Sequence, residues 1–233
     1  IPYSRQPDNG YYKGRRLSAS DQYSIDVGLF GIEACHKMEF YPTDEEQEWG
    51  NETLTRYEPY ITIQSQCDPP RKFYNVSPLL DKSDSDGRWM TIGDWHTDRW
   101  ESLVRGINSM GFNVVQIGCE YDEYISGCID MRNVGVRKTF TVVGKSRLIV
   151  THESFPLFVA NAMNTPTVLL LTGRSSMDSI QFPGITVIDK SKNCEHEPCY
   201  MIDRKVDEYC PRICMDMITV DDIINAIKVT IDV

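Results

Sequence analysis

The chain has 233 residues, of which 41% are hydrophobic, 25% charged and 10% aromatic. That composition excludes a disordered, collagen-like or low-complexity protein and fits one or two folded domains. Twenty-four Lys and Arg against 34 Asp and Glu leave a formal charge of −10, which argues against a surface that gathers nucleic-acid phosphates and requires any polyanionic ligand to be met by a local pocket.

The opening Ile1-Pro2-Tyr3 carries no Met and no signal-peptide pattern, which points to missing upstream sequence, and residues 1–24 read as a polar arm or linker. Residues 24–40 read as a helix and connector, and Thr43-Asp44-Glu45-Glu46 as a capped helix start with acids in the first turn. YITIQ at 60–64 is a β-branched strand, followed by a long polar loop over 65–93. Residues 97–110 place Trp100, Leu103, Val104 and Ile107 on one helical face, with Gly111 as the stop. NVVQI at 113–117 is the next strand, 128–131 a short extended piece and 138–146 a short helix. Strands at 148–151, 167–172 and 185–188 alternate with a helix at 156–163. The last helix covers about 220–231, capped by Thr219 with Asp222 three residues on. No apolar run approaches the roughly 18 to 20 residues that cross a bilayer, so no membrane span is expected.

Continuously apolar strands alternating with helices predict an α/β fold, a doubly wound, Rossmann-like parallel sheet covered on both faces. Ligands of such sheets bind beyond the carboxyl ends of the strands, here in the loops after Gln64, Ile117, Thr151 and Thr172. The chain has no G-x-G-x-x-G, no P-loop motif and no G-x-S-x-G elbow, which disfavours dinucleotide dehydrogenases, P-loop enzymes and α/β-hydrolases.

Four of the eight cysteines, Cys194, Cys199, Cys210 and Cys214, fall in one polar segment, with His196 between the first two. Four thiolates from one short excursion can converge on a tetrahedral zinc or iron ion, while two disulfides or free thiols remain the alternatives. The segment 190–215 is poor in apolar residues and so needs something other than burial to order it. A metal fits a cytoplasmic location, where thiols stay reduced.

The run from Arg147 through Thr151-His152-Glu153-Ser154-Phe155-Pro156 to Thr165-Pro166-Thr167 resembles the signature of the family 9 glycosyltransferases, the lipopolysaccharide heptosyltransferase type. The resemblance extends to Tyr60–Gln64, to Trp95 and Trp100, to Gln116-Ile117-Gly118-Cys119-Glu120, and to the cysteine-bearing end with its final Thr219-Val220-Asp221-Asp222 helix. It covers roughly residues 25–230, and only the C-terminal half of that family. It implies the donor domain of a two-domain GT-B fold, residues 25–233 with a cysteine-rich insertion at 190–215. The acceptor and the catalytic carboxylate would then lie on an N-terminal half, either upstream or on another chain.

The implied donor is a nucleoside diphosphate sugar and the acceptor a glycan or protein. The implied donor-binding positions are Glu120, placed like the family's ribose-binding acid, with His152, Glu153 and Ser154 at the strand–helix turn and Gly173 and Arg174 in the next loop. Each has a plainer reading: Ser154 as an N-cap, Glu120 as a solvated acid, Arg174 as a surface residue and the tryptophans as core aromatics. Glu153 stands where the family has Asp, Phe155 where it has Gly, Phe158 where it has His, and Gly93 where it has Lys. A Phe at that turn crowds the approach of a diphosphate to backbone N–H groups. Two functions follow: a glycosyltransferase or its donor half, and a degenerate, non-catalytic binding or assembly module on the same fold.

Overall fold

The computed structural model describes residues 11–12, 15–16, 38–66, 93–173, 180, 182–195 and 212–231. Strands β1 (Tyr11–Tyr12) and β2 (Arg15–Arg16) form a small antiparallel ribbon. Helix α1 (Asp44–Leu54) starts as the sequence predicts: Thr43 caps Glu46 N–H and the Glu46 carboxylate accepts from Thr43 N–H. The alternation then runs β3 (Tyr60–Gln64), α2 (Thr97–Ser109), β4 (Asn113–Ile117), β5 (Ile129–Asp130), α3 (Val136–Lys145), β6 (Ile149–His152), α4 (Phe155–Met163), β7 (Thr167–Leu171) and β8 (Ile185–Asp189). A short helix α5 (Ile213–Asp216) and the long α6 (Val220–Ile231) complete it.

All six longer-range strands pair parallel, in the order β5-β4-β3-β6-β7-β8. The chain lays down β3, steps outward to β4 and β5, then returns to the other side of β3 for β6, β7 and β8. This is the doubly wound α/β architecture expected from the apolar strands, and its direction reverses between β3 and β6. Every residue of β3 and of β7 is buried because helices cover both faces.

On one face Ile61, Ile63, Val114, Val150, Val168 and Leu170 pack against Trp95, Trp100, Leu103 and Ile107 around α2 and against Ile223 and Ile227 of α6. On the other, Tyr60, Val115, Ile117 and Ile149 meet Leu54 of α1, Val142 and Val143 of α3, and Val159 of α4. Helix α1 lies close on α3 because Gly50 has no side chain; a Cβ there would sit 2.4 Å from Thr141 Cγ2.

Several element ends differ by one or two residues from the sequence expectation. Helix α3 begins earlier, after Gly135, and stops at Lys145 because Ser146 turns extended; its buried hydroxyl donates to the Leu148 carbonyl (2.6 Å) and accepts from Thr62 N–H (2.9 Å). Strand β6 runs one residue further, placing His152 opposite Leu170 of β7. Strand β7 stops at Leu171, and Thr172 N–H turns to the Glu153 carboxylate instead (2.6 Å). The helix expected over 24–40 lies largely outside the described residues. Among the described residues no helix is long and apolar enough to cross a membrane.

Candidate functional site at the switch point

The carboxyl ends of β3 and β6 diverge where the sheet reverses direction, and a ring of polar side chains closes that end. Gln64, the last residue of β3, accepts from Thr151 Oγ1 (2.8 Å) and from Ser154 Oγ (2.6 Å), and its amide donates to the Gln66 carbonyl (2.6 Å). Gln116, buried in β4, donates to the Glu123 carbonyl (2.6 Å) and Ser65 Oγ (3.1 Å) and accepts from Ile125 N–H (2.8 Å). These two amides tie the loops after β3, β4 and β6 into one polar frame. Neither was singled out from sequence, although a glutamine inside the otherwise apolar YITIQ and NVVQI strands is a legible signal, because a buried amide must be bonded.

Glu153, half-buried, accepts from both Thr172 N–H (2.6 Å) and Thr172 Oγ1 (2.9 Å), strapping the turn after β6 to the end of β7 beside buried Gly173. Ser154 N–H donates to the His152 carbonyl (2.9 Å), its hydroxyl goes to Gln64, and Leu157 N–H bonds the Ser154 carbonyl (3.0 Å). With Pro156 lacking an N–H, the first turn of α4 has committed most of the donors that a helix N-terminus offers an anion. His152, Glu153, Ser154 and Gly173 are thus neighbours around one strand end. Arg174 lies outside the described residues.

Glu120 stands apart, exposed on the loop after β4, where its carboxylate accepts from the Tyr121 hydroxyl and raises that phenol's pKa. Beneath it Asp122 is buried and accepts from Cys119 N–H (2.9 Å) and Cys119 Sγ (2.9 Å). Burial pushes the Asp122 carboxyl upward, outweighing those bonds, and burial followed by Asp122 pushes the Cys119 thiol upward. Residue 118 must be glycine: a Cβ there would lie 2.1 Å from Asp122 Oδ2.

His152 is completely buried, with its ring edge-on to Trp100 at 5.7 Å between centroids. Among the described residues neither ring nitrogen has a hydrogen-bond partner, and Trp100 Nε1 beside it has none either. Burial pushes the imidazole pKa down to about 4; the Ser65 backbone, outside regular hydrogen-bond geometry, opposes this and the Arg212 guanidinium reinforces it. The sequence places His152 at a strand end open to the crevice, whereas β6 carries it one register further into the core. Trp95 and Trp100, at 2% and 1% exposure, are core aromatics rather than an open sugar platform.

Arg212, 6% exposed, was not anticipated from sequence. It adopts a left-handed backbone (φ 59°) ahead of α5, and its Nη2 donates to the Asp94 carbonyl just before α2. The surrounding segment is laced to the start of α2. Trp95 Nε1 donates to the Ile218 carbonyl (3.0 Å), Arg99 to the Asp216 and Ile218 carbonyls (2.8 and 3.0 Å), and His96 Nε2 meets Asp216 Oδ1 at 3.1 Å.

Of the cysteine cluster, Cys194 is half-buried and Cys214 buried; Cys199, Cys210 and His196 lie outside the described residues. The turn Ser191–Asn193 packs against α5, so the two described ends of the excursion return to one place.

This architecture is a doubly wound, Rossmann-like α/β domain built on six parallel strands. No protein-family model and no curated protein matches the sequence. Solved structures similar to it include a family 9 glycosyltransferase from Veillonella parvula (13% identity, TM-score 0.68, covering 93% of this chain and 60% of that one) and the E. coli ADP-heptose lipopolysaccharide heptosyltransferase II (14%, 0.56, 83% and 53%). A third is the iron-containing dodecameric heptosyltransferase TibC of E. coli, in complex with ADP-heptose (16%, 0.52, 74% and 45%). The chain spans about half the length of these proteins.

Proposed function

We propose that residues 25–233 are the donor-binding domain of a cytoplasmic glycosyltransferase, holding a nucleoside diphosphate sugar at the switch point while an N-terminal half, in the same chain or another, brings the glycan or protein acceptor and the general base. The observation that supports it is the polar frame of Gln64, Gln116, Thr151 and Ser154 closing the β3/β6 switch point, where doubly wound sheets bind nucleotides. Glu120 would meet ribose hydroxyls, and Glu153, Ser154, Gly173 and Arg174 would line the phosphate side. Calorimetric titration of the full-length protein with purine and pyrimidine nucleoside diphosphates and their sugars tests this. Binding in the micromolar to millimolar range is expected, and its absence at millimolar ligand, the weakest range of specific recognition, overturns the reading.

One observation favours a second reading, a non-catalytic module on the same fold: the N-terminal turn of α4 bonds its own donors internally rather than presenting them. A binding protein that releases no nucleoside diphosphate when supplied with donor and acceptor identifies that case.

We also assign Cys194, Cys199, Cys210 and Cys214 to one structural zinc or iron ion. The ends of the excursion next to Cys194 and at Cys214 pack together, which supports a shared ligand set. Four thiolates supply a tetrahedral set, and His196 can replace one of the first pair. Elemental analysis of protein purified without chelator should show about one metal per chain. Metal-free, folded protein with no reactive thiol at these positions rejects the assignment.

A further inference from the structure

We propose that Asp122 is a positioning residue for nucleotide recognition, holding the loop after β4 so that the Glu120 carboxylate meets the ribose hydroxyls of a nucleoside diphosphate ligand. That role rests on the donor-binding reading.

The strand order β5-β4-β3-β6-β7-β8, with β3 first in the chain and β4 beside it, is the order of dinucleotide-binding sheets. In such sheets the acid that hydrogen-bonds the ribose follows the second strand. Here that place is taken by Glu120, exposed on the loop just past the end of β4. A carboxylate on a loop binds well only if the loop is already ordered, because ordering it on binding costs free energy.

The loop is ordered from within by Asp122. At 7% exposure its carboxylate turns back to accept from Cys119 N–H (2.9 Å) and Cys119 Sγ (2.9 Å), and its own N–H returns to the Cys119 carbonyl (3.2 Å). Cys119 and Asp122 thus close a turn around Glu120 and Tyr121, the two residues left exposed at its tip. Burial pushes the Cys119 thiol upward, so it stays protonated and donates. The backbone at Gly118 fits the closed turn because no Cβ meets the Asp122 carboxylate, and its carbonyl accepts from Asn133 N–H (2.9 Å). Beyond the turn, Arg132 Nη1 donates to the Asp122 carbonyl. Glu123 N–H donates to Gln66 Oε1 (2.6 Å), and its carboxylate accepts from Thr97 Oγ1 (3.0 Å). Burial outweighs the bonds that the Asp122 carboxyl accepts, so the turn is kept at a cost in stability, as groups that serve a site often are.

The test is calorimetry on the full chain with ADP, GDP, UDP and CDP, each against its 2′,3′-dideoxy counterpart. The variants are Asp122→Ala, Asp122→Asn, Glu120→Ala, and one chain carrying both Glu120→Ala and Asp122→Ala. In the wild type a ribose contact to a charged acceptor should favour the parent nucleotide by roughly 10- to 100-fold. Asp122→Ala should bring that preference below about 3-fold while leaving dideoxynucleotide affinity within about 2-fold of wild type, whereas a merely structural loss weakens both ligands alike. Asp122→Asn keeps one acceptor for Cys119 N–H and should fall between; it decides the matter if Asp122→Ala fails to fold, which far-ultraviolet circular dichroism reads. Glu120→Ala should lose the preference by itself, with no further loss in the double variant, because Asp122 acts through Glu120. A folded Asp122 variant with the wild-type preference overturns the assignment, as does equal weakening of both ligand series or a further loss in the double variant. In each of these cases the donor-binding reading stands. A wild type that binds both series equally also overturns it, by removing the Glu120 contact. A wild type that binds none of the eight compounds removes the donor-binding reading itself, and the assignment with it.

Discussion

Between about pH 7.5 and about pH 4 the wild-type chain should lose about 3 kcal/mol more stability than a His152→Leu variant, a figure that follows from a shift of roughly 2.5 pKa units at about 1.4 kcal/mol per unit. The folded state holds His152 neutral down to a pKa of about 4, against an ordinary value of 6.5, because the ring is wholly buried beside Trp100. Between those two values the unfolded chain binds the extra proton and the folded chain does not, so stability rises with pH. The contribution is complete above pH 6.5, is lost as pH falls toward 4, and changes no further below that. Asp122, whose carboxyl is pushed upward by burial, acts in the opposite sense, since acid relieves the cost of burying its charge. Comparison with His152→Leu removes that and every other carboxylate from the difference. Among the described residues the two ring nitrogens have no hydrogen-bond partner, and leucine removes them from the core, so the variant should be at least as stable as wild type at pH 4. Urea unfolding across the pH range measures this, and parallel pH profiles for the two proteins would contradict it.

Replacing Trp100 by Ala should cost about 3–5 kcal/mol, the range for removing a buried aromatic and leaving a cavity. Trp100 is 1% exposed, stands edge-on to Trp95 (5.2 Å) and to His152, and belongs to the cluster that seals α2 against β3 and β6. It therefore supports the switch point from below: without it the start of α2, and with it Asp94 and the strap to Ile218, loses its seat. Trp100→Phe should recover more than half of the loss. Val229→Ala, at a position 74% exposed on α6, should stay within about 0.5 kcal/mol of wild type. A loss below about 1 kcal/mol in Trp100→Ala would show that the helix is held by its polar links alone.

The residues that made the site hard to read are those whose role depends on a single register step. His152 reads from sequence as a strand-end histidine facing a crevice, because a titratable ring beside Glu153 and Ser154 suggests chemistry. One more residue of β6 pairing with Leu170 turns the ring into the core, since successive side chains of a strand face opposite sides. Ser154 illustrates the same limit. Its hydroxyl was equally a cap or a ligand donor, and Gln64, 90 positions earlier in the chain, takes it for neither. Arg212 could not be selected from sequence at all, because only the packing of α5 against the approach to α2 buries this surface-type residue and bonds it to the Asp94 carbonyl.

What the amino-acid sequence determined by itself is the fold class. Unbroken apolar strands such as TVLLL, alternating with one-sided helices such as 97–109, admit little besides a parallel sheet covered on both faces, and local periodicity carries that information. Caps were equally local: Thr43 with Glu46 and Thr219 with Asp222 are bonded as their spacing predicts. Only the tertiary structure decided the strand order, and therefore that the sheet reverses between β3 and β6. It also decided which of many polar residues meet there: Gln64 with Thr151 and Ser154, Gln116 with Ser65, and Glu153 with Thr172. These partners lie far apart in the chain, and the desolvation that gives each contact its strength exists only once the sheet has closed around it.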